Sequence, residues 1–190
     1  ATTLTGNVLI DTGAGGGTIQ FAQTLDGTVA DTETLGLTAG TGNVTFSNTV
    51  GAGTALGAVT ISSAADVGLS GTFQAASLTQ TAGTGTTTIG GLLTADTGNV
   101  DIKTNAIALN AGINTLAGAA GGTVTLNADT AALTIAAAGD IVSDGLVSLS
   151  GATGISTAGD VSTTADNVTY NSATTLTGNV LIDTGAGGGT

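Results

Sequence analysis

The sequence predicts an all-β chain, wound as a right-handed, three-sided parallel β-helix (β-solenoid) of about eight coils per 172-residue repeat. Three observations carry this reading. A block of eighteen residues recurs without a change, short apolar/polar alternations recur roughly every twenty residues, and glycine punctuates the stretches between them. Ala1 to Thr18 read ATTLTGNVLIDTGAGGGT and so do Ala173 to Thr190, an offset of 172 residues. Long-period self-similarity of this kind marks a tandem-repeat architecture. Residues 1–172 are therefore expected to be one full unit and 173–190 the start of the next, in a continuous solenoid cut from the interior of a longer array.

The secondary structure is expected to be strand throughout. β-Branched Thr, Val and Ile are abundant, Gly numbers 33, and the straight-chain residues that favour helices are scarce. Asn43 to Phe46, Ala58 to Ile61, Thr123 to Leu126 and Asn167 to Tyr170 each alternate two apolar side chains with Thr, which is the period of a half-buried strand. Looser versions stand at Thr18 to Phe21, Ser77 to Gln80, Asn99 to Ile102 and Leu146 to Leu149. Their first inward residues are 19, 44, 59, 78, 100, 124, 147 and 168, eight per unit, so a coil averages about 21.5 residues, within the range of strand-bearing solenoids. The fifteen residues from Val44 to Val59 stand out as too short for a full coil.

Two further apolar positions complete most coils. The second is expected at Val67, Ile89, Ile107, Leu133, Ile155 and Leu176; the third at Phe73, Leu92, Ile113, Ile141, Val161 and Val180. Gly71, Gly91, Gly112, Gly139, Gly159 and Gly178 precede the third, as expected of corners that need positive φ. Asn7, Asn43, Asn99, Asn167 and Asn179 precede inward Val residues, where Asn tolerates left-handed backbone and can bond a neighbour in a ladder. The crossover rule gives the right hand. Each coil gains little alone, because its apolar edge is buried only by the coils above and below.

Composition narrows the function. A net charge of −12, with one cation (Lys103) against thirteen acids, leaves nothing to neutralise phosphates, so nucleic acid and anionic membranes are not expected partners. No apolar run approaches the 18 to 20 or so residues of a spanning helix, so no membrane insertion is expected of this segment. With no His and no Cys there is no base or thiol from which to assemble a nucleophilic triad, and the chain is expected not to be an enzyme. A carboxylate-based glycosidase would want cations for acidic sugar, and Lys103 stands alone. Gly13 to Gly17 lacks the Lys-Ser/Thr of a phosphate loop and lies between strands, so it is expected to be a corner.

Two surface features invite a ligand. Asp140, Asp160 and Asn179 are expected at equivalent corners of successive coils, about 5 Å apart, as a cation ladder for calcium, against the simpler expectation of solvated surface carboxylates. Thr45, Thr60, Thr79, Thr125 and Thr169 form an outward row that would suit ice binding, but Gln20, Asp101 and Ser148 interrupt it, and ordinary strand propensity explains Thr there.

Thr-Gly-Asn-Val recurs at 5–8, 41–44, 97–100 and 177–180, with Ala-Gly-Asp-Ile at 138–141 and Ala-Gly-Asp-Val at 158–161. In these phrases the chain resembles the β-strand repeats of filamentous haemagglutinin-type bacterial giant proteins. The resemblance implies a secreted or surface-held right-handed β-helix acting as adhesin, stalk or matrix fibre. The expected function is thus a structural segment of a very large extracellular tandem-repeat protein, with further copies of itself as partner, end to end or laterally. The alternative is a cell-surface adhesin stalk or binding module. An adhesive face should expose aromatics in a row, yet Phe21, Phe46, Phe73 and Tyr170 all fall at inward positions.

Overall fold

In the computed structural model, which describes residues 1–117 and 122–190, all assigned regular structure is strand, and the strands pair in parallel. They lie on three faces of one solenoid of about eight turns. The first face stacks Val8–Asp11, Leu35–Thr38, Leu56–Ser63, Phe73–Gln80, Val100–Thr104, Val124–Ala128, Val147–Gly151 and Val168–Tyr170. The second stacks Ile19–Phe21, Val44–Phe46, Val67–Leu69, Thr86–Ile89, Ala106–Leu109, Leu133–Ile135, Ile155–Thr157 and Thr174–Leu176. The third runs from Thr2–Thr3 through Leu25–Asp26, Val50, Phe73, Leu93–Ala95, Ile113–Asn114, Ile141–Ser143 and Val161–Thr163 to Ile182–Asp183. The eight-residue strands Leu56–Ser63 and Phe73–Gln80 run around the corner from the third face to the first, and so join the two into one sheet.

Alternation explains the core. In Val124–Ala128 and Val147–Gly151 the first, third and fifth residues are buried and those between them half-buried, the period-two pattern of a sheet with one wet face. Along the axis these inward residues form columns: Leu78, Val100, Val124 and Val147 on the first face, Ile107, Leu133 and Ile155 on the second, Leu93, Ile113, Ile141 and Val161 on the third. All are at most 2 % exposed. Each such side chain withdrawn from water stabilises the stack by about 1.5–3 kcal/mol, which offsets the cost of ordering a chain with so many glycines.

The faces correct the expected register at several points. Ile19 and Val44 belong to the second face, and the first-face residues of those turns are Val8 and Leu35. The fifteen residues from Val44 to Val59 therefore span two sides, through Val50 on the third, and the coil is not shortened. Ile89 and Leu176 lie on the second face but two residues past the expected rung, which Thr87 and Thr174 occupy. Leu92 is 45 % exposed and Leu93 takes its inward place; Ile182 does so for Val180.

The corner glycines serve a different need from the expected one. None of Gly71, Gly91, Gly112, Gly139, Gly159 and Gly178 has positive φ. At Gly71, Gly91, Gly139 and Gly159 the need is close approach between turns: a Cβ on Gly91 would strike the Gly71 carbonyl, and one on Gly71 would lie 2.7 Å from the backbone of Asn48. Left-handed backbone occurs instead at Gly51, φ 70°, where a side chain would also collide with the carbonyl of Gln74 on the next turn.

Candidate functional site: the corner ladders and the outer faces

The corner residues Asn and Asp act on the backbone. A residue just ahead of a strand has left the ladder, so its N–H points toward the neighbouring turn without a carbonyl to meet. The side-chain oxygens fill that gap. Asn7 Oδ1 accepts from the Thr34 N–H at 3.0 Å, Asn43 from Asp66 at 3.0 Å, Asn99 from Thr123 at 2.9 Å and Asn167 from Thr190 at 2.9 Å. Asp66 continues the Asn43 column by accepting from Thr86 at 2.8 Å. These Asn residues do not use left-handed backbone, since among the described residues only Asp31 does so without being glycine.

Asp140 and Asp160 do lie on successive turns of the third face, directly ahead of the paired Ile141 and Val161. Each uses one carboxylate oxygen in the same way: Asp140 Oδ1 accepts from the Asp160 N–H at 2.9 Å, and Asp160 Oδ1 from the Leu181 N–H at 2.8 Å. The third rung is therefore Leu181 and not Asn179, because Val161 pairs with Ile182. The expected trio of oxygens reduces to two, each with one lone-pair side committed to the fold. Among the described residues no group of three or more His, Cys, Asp or Glu side chains is placed to hold a metal ion.

The outward row on the first face runs Thr60, Thr79, Asp101, Thr125, Ser148, Thr169 in strict register. Gln20 and Thr45, expected in that row, stand on the second face. Below Thr60 the row ends at Gly36. Asp101 and Ser148 thus interrupt a short hydroxyl array. The four aromatics all turn inward: Phe46 and Phe73 are 1 % exposed, and Phe21 and Tyr170 are half-buried against the core. Phe21 stacks on Phe46 with centroids 5.1 Å apart, and Phe46 meets Phe73 edge-on at 5.3 Å. Lys103 is paired with Asp129 at 3.5 Å on the surface, where such a contact contributes about 0–1 kcal/mol.

One polar constellation escaped the sequence reading. Glu33, the chain's sole glutamate, is 5 % exposed and receives the Thr28 hydroxyl, the Thr28 N–H and two contacts from the Val29 N–H. The Thr28 hydroxyl, and after it the Val29 N–H, hold its carboxyl below the usual glutamate range. The signal available in the sequence was that lone Glu among aspartates, five residues after a Thr, but spacing alone does not reveal a self-capped loop. Inside the solenoid, Gln80 accepts from the Thr87 hydroxyl at 2.7 Å, and Thr115 and Ser143 both donate to the Gly122 carbonyl. These hydroxyls are spent on structural hydrogen bonds.

No helix among the described residues is long and apolar enough to cross a membrane. Compared with family models, with curated proteins and with solved structures, the chain matches none.

Proposed function

We propose that this chain is a structural segment of a very large extracellular or cell-surface tandem-repeat protein, whose solenoid units stack in series into a fibre. The observation that supports this best is the behaviour of the recurring eighteen residues. The second copy continues the same stack without a break, pairing Thr174–Leu176 with Ile155–Thr157 and Ile182–Asp183 with Val161 and Ser162. Its inward apolar residues Leu176 and Ile182 are 58 % and 45 % exposed, and a following identical unit would cover them. The outer faces favour length over ligand capture, since Thr, Ser and Gly dominate them and the aromatics are inside.

The proposal is tested by small-angle X-ray scattering on chains of one, two and three consecutive units. A unit of this solenoid rises about 37 Å at the roughly 4.8 Å spacing of parallel strands. The particle should lengthen by that amount per unit at constant cross-section; globular growth sinks the fibre reading. Calcium enters only at Asp140 and Asp160. If it is an integral part of the fibre, chelation lowers the melting temperature of wild type and not of Asp140→Asn/Asp160→Asn; an unchanged wild type removes it from the account.

A further inference from the structure

The two copies of the eighteen-residue segment do not occupy the same faces. Thr2–Thr3 pair with Leu25–Asp26 on the third face, whereas the identical Thr174 and Thr175 pair with Ile155 and Ser156 on the second. Ile10 and Asp11 pair with Leu37 and Thr38 on the first face, whereas Ile182 and Asp183 pair with Val161 and Ser162 on the third. Thr18 leads into Ile19 on the second face, whereas Thr190 is held on the first: its N–H donates to Asn167 Oδ1 at 2.9 Å and its carbonyl accepts from the Val168 N–H at 2.9 Å. All three comparisons give the same displacement of one side. Local structure is meanwhile retained. Asp11 accepts from the Gly13 N–H and Asp183 from the Gly185 N–H; the Thr12 hydroxyl donates to the Gly17 carbonyl and that of Thr184 to Gly189; Gly13, Gly16, Gly185 and Gly188 all have positive φ.

Counting sides explains the displacement. From Thr2–Thr3 to Thr174–Leu176 the chain advances by about 23 sides at roughly 7.5 residues each, one fewer than the 24 of eight complete turns. The copies can share a local fold and still sit on different faces, because each side is the same kind of short strand with alternate residues inward.

We infer that successive units of the array are each turned by one face, a rotation of about 120°, so that the fibre carries a three-unit screw. This rests on the reading that identical units follow in series. The junction then has a definite geometry. Residue 19 of the following unit lies over Val168, Gln20 over Thr169, and Phe21 over Tyr170. That contact covers the half-buried Tyr170 ring and extends the Phe21–Phe46 stack by one aromatic across the seam. It also fixes how the fibre meets partners. A feature such as Lys103–Asp129 passes from the first face to the third and then the second, and returns to its own face only after about 110 Å. The fibre has no single adhesive or bundling side, and a lateral partner, including a second fibre, meets the same chemistry on every face.

The chain contains no cysteine, so disulfide trapping reads the phase cleanly. In a chain of two consecutive units, Thr169→Cys in the first is combined with Gln20→Cys in the second. Adjacent parallel strands bring their Cα atoms to about 4.8 Å, inside the roughly 4.4–6.8 Å span of a disulfide. Oxidation should remove nearly all titratable thiol. The competing pair is Ser156→Cys in the first unit with Gln20→Cys in the second, which share the second face only if units repeat in phase, and it should retain its thiols. Ser148→Cys with Thr169→Cys, neighbours within one unit, controls for folding and oxidation. Trapping of the Ser156 pair overturns the inference, as does failure of both junction pairs in a chain whose control pair closes. Both results leave the elongation seen by scattering intact, so the fibre reading and the screw fail separately.

Discussion

A strand that starts at a corner of a solenoid leaves one N–H pointing along the axis with nothing in its own turn to receive it, and Asn99 shows how this chain answers that problem. Its amide oxygen takes the Thr123 N–H, and the strands that follow, Val100–Thr104 and Val124–Ala128, then pair over five rungs. Asn99→Ala leaves that donor unmet and should cost about 1–3 kcal/mol in chemical denaturation, while Asn99→Asp, which keeps the oxygen, should cost less. Equal losses in the two variants would show that the amide oxygen is not what matters. Glu33 works by the same logic within a loop, but its effect depends on pH. Its folded-state pKa lies below its unfolded value, so its contribution is present above the ordinary glutamate pKa and is lost as pH falls through the lowered folded value. Hydrogen exchange of residues 27–34 should therefore accelerate below that value in the wild type, and Glu33→Gln should flatten the dependence. A protection profile indifferent to pH in the wild type contradicts this role. Neither device could be assigned from residue type alone. Asn ahead of Val was legible as a ladder position, but which N–H it receives depends on the turn stacked over it.

At the scale of a strand, the alternation was legible and the face was not. Asn43 to Phe46 and Ala58 to Ile61 carry the same pattern, yet the first lies on the second face and the other on the first. A side is defined by the strand it pairs with, and all three sides use one grammar of Val, Thr and Ile. Corner lengths vary as well: the loop closed by Glu33 stretches the turn from Val8 to Leu35, so counting residues cannot hold the phase. The same limit explains the third rung of the acid ladder. Thr-Gly-Asn-Val at 177–180 matches the phrase at 97–100, but Ile182 takes the ladder position. Packing, by contrast, follows from the pattern directly. Ile102 is fully buried between Gln80 and Leu126 of the neighbouring turns. Ile102→Ala should destabilise the solenoid by about 2–5 kcal/mol, seen as a lower denaturation midpoint, and Thr125→Ala on the wet face of the neighbouring strand should change it by well under 1 kcal/mol. A wet-face loss as large as the core loss would refute the assigned in/out pattern.

For the whole molecule, thickness is fixed by three short sides while length grows with every turn, so an array of units becomes a rod. A net charge of −12, with a single lysine already paired, surrounds that rod with negative potential. Rods should stay apart at low ionic strength and associate laterally as salt shortens the Debye length toward about 10 Å at 0.1 M, read as a rise in light scattering. Scattering that falls with added salt would mean that lateral contacts depend on charge attraction instead. Whether these units stack into a thin, continuous β-solenoid fibre is read by cryo-electron microscopy of the native assembly. Filaments one solenoid wide are expected, with strands stacked at about 4.8 Å along the axis and a unit rise of about 37 Å; compact particles without an axial strand repeat would overturn the fibre.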